Sequence, residues 1–599
     1  TLIDELNELF QGYPRILATI KRIHEQTRKR RIVIATHMHA GDGNVHVNIP
    51  VFSNDRIMMR RAEQTAENIM RKAMELDGVV SGEHGIGITK IKFLEQERID
   101  ALRAYRKEVD PLGLMNPRKL DDPNILEGVF TPSFNLLELE AHILKHNSLE
   151  VLASSIAQCI RCGKCKPDCC VFSPATSLFF HPRNKNLAIG ALIEALLYDM
   201  QRSHFPRFNQ LKYLEEVADH CTLCGKCLPP CPVDIDTASI SILERKILSE
   251  RGYKHSPLPT RLSLFYLKNR NRTFNYAFRK IVVQWGARAQ NLGSRLLPKA
   301  PHWLRTKNVR PLQMLASPMP IPSAKVLRDW LPGTSLNEAL LFNPQGPAQK
   351  TVFYFPGCGS ERLYSDVSLA ALYILLKAGI RVVLPPANLC CGFPAKANAK
   401  THMHSDVTLR DTIILSQIKD MLGYIVFDAV TVSCGTCREA LHEVGVEEIF
   451  ACELCDISAL VMETAPNLCS KKEKTRLFYH APCHDSLRGE GPVLLRQLAQ
   501  EAIKLPNCCS EAGTLALSRP DITGAMLKRK QMTIAPWSPV QAADVLITNC
   551  PSCLTGLGRN TPPMPAPRHL TIHLAMLIGG EKWQSEAASL LKRGETIAF

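Results

Sequence analysis

Two cysteine runs limit this chain more tightly than anything else in it. Cys159, Cys162, Cys165 and Cys169 follow the spacing C-x2-C-x2-C-x3-C, and Cys221, Cys224, Cys227 and Cys231 repeat it ahead of Pro232. Three thiolates at i, i+3 and i+6 reach successive corners of one cubane, while the fourth of each run serves the other cluster. The spacing predicts one [4Fe-4S] cluster on Cys159, Cys162, Cys165 and Cys231, and a second on Cys221, Cys224, Cys227 and Cys169. Two zinc sites are the competing reading, but zinc ligation uses paired CxxC steps rather than CxxCxxC. Cys170 stands where this pattern usually carries proline; Cys169 keeps the spacing and is the ligand expected.

A chain of 599 residues that is 45% hydrophobic has room for several cores. Its 22 cysteines lie in tight runs of a large chain, which fits metal ligation in a reducing cytosol better than disulfides. No apolar run approaches the length of a membrane span, and the first residues lack the order of a secretory signal. The chain opens on Thr1 rather than Met, so it is expected to be a portion of a longer polypeptide or a processed one.

The net charge of +16 is concentrated between Arg251 and Arg328, which hold 16 Lys and Arg and no Asp or Glu. No zinc finger, recognition helix or RNA-binding signature accompanies it, so nucleic acid is not the expected partner. With Phe265, Tyr266, Trp285 and Trp303, the segment suits either a belt resting on anionic lipid at the inner face of the membrane or a solvated inter-domain arm packing on acidic neighbours. The arm is the simpler reading.

Periodicity divides the rest. Residues 1–128 read as an α+β unit with a helical start over Leu2 to Arg30, strands over 32–36 and 45–49 and a helix over 55–77. Residues 133–250 read as helical around the two cysteine runs, and 251–349 as a basic, proline-rich linker. Two α/β halves of similar plan follow, 350–465 and 474–582, each opening on a short apolar strand that leads into a cysteine. Each half then carries adjacent cysteines and a late CxxC, so an internal duplication is expected. The fold class is thus multidomain, α+β followed by helical and then duplicated α/β units.

In the first unit, His39-Ala40-Gly41-Asp42-Gly43-Asn44-Val45-His46 sits in a glycine loop that feeds a strand, and Ser81-Gly82-Glu83-His84-Gly85-Ile86-Gly87 follows. Two imidazoles and a carboxylate suit zinc or manganese with coordination positions left for substrate oxygens, and an adjacent histidine suits a general base near neutral pH. Structural histidines in tight turns are the alternative. These motifs, with Asn116-Pro117, resemble the carboxy-terminal substrate domain of FAD-linked oxidases of the vanillyl-alcohol oxidase type, a group that includes D-lactate, glycolate and D-2-hydroxyglutarate dehydrogenases. The resemblance covers residues 1 to about 120. It implies His39, His46 and Glu83 as metal ligands, Asn48 in contact with substrate, His84 as acceptor of the hydroxyl proton and flavin as acceptor of the hydride. Arg118 stands where that family commonly has glycine, and His37 has no role in it. The family binds FAD mainly through an amino-terminal domain, so a flavin-bearing domain or subunit is expected as a partner.

The late cysteines form two sets: Cys358, Cys390, Cys391, Cys434 and Cys437, then Cys483, Cys508, Cys509, Cys550 and Cys553. They resemble the CCG cysteine-rich domains of glycolate oxidase iron-sulfur subunits, anaerobic glycerol-3-phosphate dehydrogenase and heterodisulfide reductase, which implies either a further iron-sulfur cluster or zinc in each. The second set reads Cys508-Cys509-Ser510, without the glycine of Cys391-Gly392. Cys452, Cys455 and Cys469 lie outside the pattern.

The leading expectation is a D-2-hydroxyacid dehydrogenase, D-lactate first, whose electrons leave FAD through the cubanes for a quinone, a cytochrome or a soluble carrier. A non-catalytic electron-transfer subunit docking to a separate flavoprotein is the second reading, and a heterodisulfide-reductase-like enzyme the third. The compartment expected is the cytoplasm.

Overall fold

The structure, a computed structural model, describes residues 2–51, 56–125, 141–142, 147–172, 180–203, 208–301, 309–469, 472–511 and 513–598. Trp303 and the first residues of the range expected to be helical around the cysteine runs, 133–140, lie outside them. The chain divides into one unit of residues 1–160 with 193–206 and another of 161–192 with 207–599.

In the first unit the helical start is two helices, Leu2–Leu9 and Pro14–Arg30. Gly12, at φ +90°, ends the first, and Pro14 opens the second, where its missing N–H has no partner to lose. Strands β1 (Ala35–His39) and β2 (Asn44–Asn48) form an antiparallel hairpin in register His37↔His46. The strand expected over 32–36 begins later because cross-strand pairing, not β-branching, decides its bounds. Helices Arg56–Glu75 and Gln96–Val109 follow, and Ile91, Ile99 and Ile125 make a small core.

The second unit holds two sheets. Strands β3 (Glu338–Phe342), β4 (Lys350–Phe355), β5 (Ile380–Leu384), β6 (Ala429–Val432) and β7 (Glu453–Asp456) make one. Strands β8 (Glu473–Tyr479), β9 (Ala499–Lys504), β10 (Val545–Thr548) and β11 (Pro567–His569) make the other, while β12 (Glu595–Ala598) returns to the first. The orders are β12-β3-β5-β4-β6-β7 and β9-β8-β10-β11. Strands β4 to β7 are mutually parallel, as are β8 to β11, and 5-4-6-7 is the same arrangement as 9-8-10-11. In each, the chain crosses the first strand to reach the third, so a crevice opens at the carboxyl ends of β4 and β6, and again of β8 and β10.

The two sheets share a core. Helix Ser365–Lys377 is apolar on nearly every side, which a helix needs only when buried all round. Its Leu369, Tyr373 and Leu376 join Leu570, Leu574 and Ala575 of helix Leu570–Gly579 in one cluster.

The basic stretch expected as a linker is built into this unit. It folds into helices Leu258–Lys268, Arg272–Phe278, Trp285–Leu296 and Arg310–Ala316, and its range takes in β3. Arg279 is buried and donates to the carbonyls of Arg362 (2.9 Å) and Ala324 (3.2 Å). Lys254 reaches Asp219 at 2.7 Å, Lys268 reaches Asp406 at 3.0 Å, and Arg328 pairs with buried Glu361 at 2.8 Å. Backbone carbonyls and acids far along the chain thus take up cations of a stretch that itself holds no acid from Arg251 to Arg328. No helix among the described residues is long and apolar enough to cross a membrane.

Candidate metal and redox sites

The alternation of side chains along a hairpin places His37 and His39 of β1 on the same face as His46 and Asn48 of β2. The turn containing Glu83 and His84 meets that face. One ligand atom from each of His39, His46 and Glu83 lies within 4.8 Å of the others. His46 Nε2 is 2.9 Å from Glu83 Oε1, and His84 Nε2 is 3.3 Å from the same oxygen. Gly82 lies against the Asn44 side chain, where a Cβ would stand 2.5 Å from Oδ1. His37, for which the sequence offered no role, stacks on His46 with ring centres 4.6 Å apart, and its Nδ1 is 3.2 Å from the Asn48 amide. Its even spacing from His39 was the available signal. Glu83 and His84 are open to solvent. Arg118 adopts φ +65°, the conformation glycine takes most easily, and its guanidinium pairs with Asp122 at 2.6 Å.

The two ferredoxin-type loops have one backbone form. Arg161 and Gly163 have φ of +59° and +76°, and Leu223 and Gly225 have +57° and +66°. Lys166 N donates to Gly163 O and Leu228 N to Gly225 O, both at 3.0 Å. Leu223 N points at Cys221 Sγ (3.4 Å) and Ile235 N at Cys231 Sγ (3.3 Å), the N–H···S contacts that stabilise thiolates and tune clusters. Burial pushes Cys227 up to about 12, helped by the charges of Cys221, Cys224 and Cys169, so the second expected ligand set shares one neighbourhood. Of the first set, Cys159 lies in the first unit, while Cys162, Cys165 and Cys231 lie in the second.

The cysteine-rich sets occupy the two crevices. Cys434 follows β6 and caps helix Gly435–Glu443, with Cys437 in its first turn; Cys550 follows β10 and caps helix Pro551–Leu557, with Cys553 in its first turn. Helix N-termini favour thiolates. Gly357, at φ +68°, has no room for a side chain, because a Cβ would stand 2.7 Å from Cys437 Sγ. Gly392 has φ +77°, and Ser510 takes φ +75° in its place in the second half. The turn after the paired cysteines is therefore the same despite the missing glycine.

Within the first set, thiols touch in the sequence Cys358, Cys390, Cys391, Cys437, Cys434. Within the second, Cys483 and Cys508 are 3.9 Å apart, and contact continues through Cys509 and Cys553 to Cys550. Cys434 and Cys550 join the sets at 4.0 Å. Hydrogen bonds from neighbouring thiols hold Cys390, Cys434 and Cys508 low, and the donors are pushed up in turn. Such a chain keeps only some of its protons and would shed the rest to a metal. Cys452, Cys455 and Cys469 join no metal-ligating group among the described residues.

Two groups here left no mark in the sequence spacing. His480, which follows β8, is buried within 4.8 Å of the Cys509 and Cys553 sulfurs. Its Nδ1 lies 3.1 Å from Nζ of buried Lys530, which also donates to the carbonyls of Leu505, Pro506 and Asn507. Burial lowers Lys530 to about 8 against the charges of Cys509, Cys508 and Cys553. A charged lysine only donates, so Nδ1 of His480 accepts and the proton of the neutral ring sits on Nε2.

Comparison with known proteins agrees with this division. Residues 12–120 match the family model for the C-terminal domain of FAD linked oxidases, 155–235 the 4Fe-4S dicluster domain, and 352–442 and 477–558 each the cysteine-rich domain. The chain is 39% identical over 105 residues to glycolate oxidase subunit GlcD of Bacillus subtilis, covering 17% of this chain and 22% of that protein. It is 32% identical over 110 residues to the mitochondrial D-lactate dehydrogenase [cytochrome] of Arabidopsis thaliana, covering 18% and 19%. A fumarate reductase (CoM/CoB) subunit of Methanothermobacter marburgensis is 27% identical over 219 residues, covering 35% and 42%. The chain thus spans about a fifth of the length of the first two relatives and under half of the fumarate reductase one. It carries an FAD-oxidase C-terminal domain, a 4Fe-4S dicluster domain and two cysteine-rich domains in series.

Proposed function

We propose that this chain supplies the substrate-side metal ligands, the proton acceptor and the electron path of a flavin-dependent D-2-hydroxyacid dehydrogenase. D-lactate is the favoured substrate, ahead of D-2-hydroxyglutarate and glycolate. The observation that carries the reading is the convergence of His39, His46 and Glu83 within 4.8 Å beside His84, on the segment that matches the C-terminal domain of FAD linked oxidases. His39, His46 and Glu83 hold zinc or manganese, Asn48 contacts the substrate, and His84 accepts the hydroxyl proton. Cys159, Cys162, Cys165 and Cys231 hold one cubane, Cys221, Cys224, Cys227 and Cys169 the other, and the cysteine-rich sets hold iron-sulfur or zinc centres. When bound, the divalent ion supplies polarisation of the substrate oxygens, FAD on a separate domain or subunit supplies hydride acceptance, and the cubanes supply one-electron carriage.

The electron acceptor is a quinone or another carrier. Trp285, Leu292 and Leu296, exposed along one face of a helix in the basic stretch, support docking at an anionic membrane surface.

Anaerobic iron and sulfide quantification with electron paramagnetic resonance tests the relay, followed by mixing with a flavoprotein reduced by D-lactate. About eight cubane irons per chain and their reduction by the flavoprotein are expected. Zinc without iron would sink the electron-transfer reading. A second reading, reduction of a heterodisulfide at the cysteine-rich sets, is favoured by the contiguous thiols of those sets, and turnover of a mixed disulfide with an added electron donor and without any hydroxyacid would establish it.

A further inference from the structure

Cys170 is surplus to the ferredoxin pattern. The spacing uses Cys169, and the next position usually belongs to proline. The structure gives these adjacent cysteines different surroundings. The neighbours of Cys169 are Lys185 and Cys221, whereas the thiol of Cys170 touches those of Cys224, Cys483 and Cys508. The sulfurs of Cys170, Cys224 and Cys483 all lie within 4.8 Å of one another, and Cys508 Sγ is 3.9 Å from Cys483 Sγ. Four thiols from both ferredoxin loops and the second cysteine-rich half therefore converge. Among the described residues, no thiol outside its own half joins the first cysteine-rich set except Cys550.

We propose that Cys170 is a ligand of the metal centre in the second cysteine-rich site, beside Cys483 and Cys508, and that it seats this centre directly against the cubane bound through Cys224. The inference rests on the reading that the second set holds a metal. The ligand class is a thiophilic centre, iron-sulfur or zinc, which thiolate donors select over harder cations. The extra donor makes the second centre inequivalent to the first. It also makes that centre the entry point for electrons from the cubane, since Cys224 and Cys483 are in contact.

The test is metal analysis and electron paramagnetic resonance on the full chain, prepared anaerobically, as wild type, Cys170→Ala, Cys170→Ser and Cys169→Ala. The expected result is that both Cys170 variants lose one centre's worth of iron or zinc, the lost element identifying the centre, while cubane iron and cubane signals persist. Cys169→Ala should do the reverse. Unchanged metal and spectra in the Cys170 variants would overturn the proposal, and so would loss of cubane iron from them, which would make Cys170 the cubane ligand. If the variants do not fold, alkylation of the wild type followed by mass spectrometry decides: Cys170 protected when loaded and labelled after chelation supports the assignment, and Cys170 labelled when loaded overturns it. A wild-type chain with cubane iron and no other metal overturns the underlying reading itself.

Discussion

The Cys434 and Cys550 sulfurs stand 4.0 Å apart, although the residues are 116 positions apart in the chain. Each follows the third strand of its half and caps the helix after it, so superposable positions in the two halves face each other. The shared core between helices Ser365–Lys377 and Leu570–Gly579 holds the halves in this pose. The halves share one strand arrangement and each matches the cysteine-rich domain, so the same position of each half is the point of contact.

Contact of this kind would couple metal centres held by the two cysteine-rich sets. Cys550→Ser is expected to strip metal from the second set and also shift the spectrum and potential of the first; Cys434→Ser should do the converse. The double variant should lose less than the sum of the singles. Metal content and redox titration of the four proteins check this, and strictly additive losses would mean that the centres are independent.

Gly435 sits at the same junction. A Cβ on it would stand 1.7 Å from the carbonyl oxygen of His484 and 2.5 Å from its carbon, and backbone cannot swing aside as a side chain can. Gly435→Ala should therefore destabilise the chain by at least roughly 1–3 kcal/mol and loosen metal at Cys434 and Cys437. Gly524, in helix Pro520–Met532, has nothing within 4 Å, so Gly524→Ala should stabilise by up to about 1 kcal/mol. Denaturant melts of both variants make the comparison.

How far the sequence could be read follows from which forces set each feature. The cysteine runs were legible because cluster ligation is a local spacing rule, and Arg161, Gly163, Leu223 and Gly225 show the one backbone form that such a rule requires. The openings of β4 and β8 were legible as apolar runs ending in cysteine. The meeting of Cys434 with Cys550, the approach of Cys170 to Cys483 and the burial of Lys530 beside His480 were not, because tertiary packing decides them and no sequence period encodes it. The basic stretch misled for the same reason. Charge without local acids reads as a solvated linker, yet Asp219, Asp406 and Glu361 wait elsewhere in the chain for its cations. Ser510 showed the converse, a missing glycine that left its turn unchanged.

The hairpin site offers a test that separates ligand from base. Glu83→Gln and His46→Ala should weaken zinc or manganese binding by at least about 100-fold, read by competition with a chromophoric chelator. His84→Gln should leave that affinity within a few-fold. It should lower hydroxyacid turnover by about 100-fold or more when the chain is paired with its flavoprotein. Equal loss of metal in all three variants would make His84 a ligand rather than a base.

Glu244 gives the fold a pH dependence of defined sign. It lies in helix Thr237–Glu250, just after the second ferredoxin loop, and is fully buried. Burial raises its pKa to about 7, against the opposing charges of Lys185 and Arg245 and the hydroxyl of Ser241. In the unfolded chain it titrates near the ordinary glutamate value of about 4.3, so between there and pH 7 the folded protein binds the extra proton. Stability contributed by this group is therefore lost as pH rises through that window, the opposite of a salt-bridged carboxylate. Glu244→Gln, neutral at every pH, should match the wild type near pH 4.5. It should exceed the wild type progressively toward pH 8, by up to roughly 3 kcal/mol for a shift of this size. Acid also displaces metal from thiolates, so the reading is the difference between the two proteins at each pH. A constant difference from pH 5 to pH 8 would show that Glu244 is ionised in the folded chain.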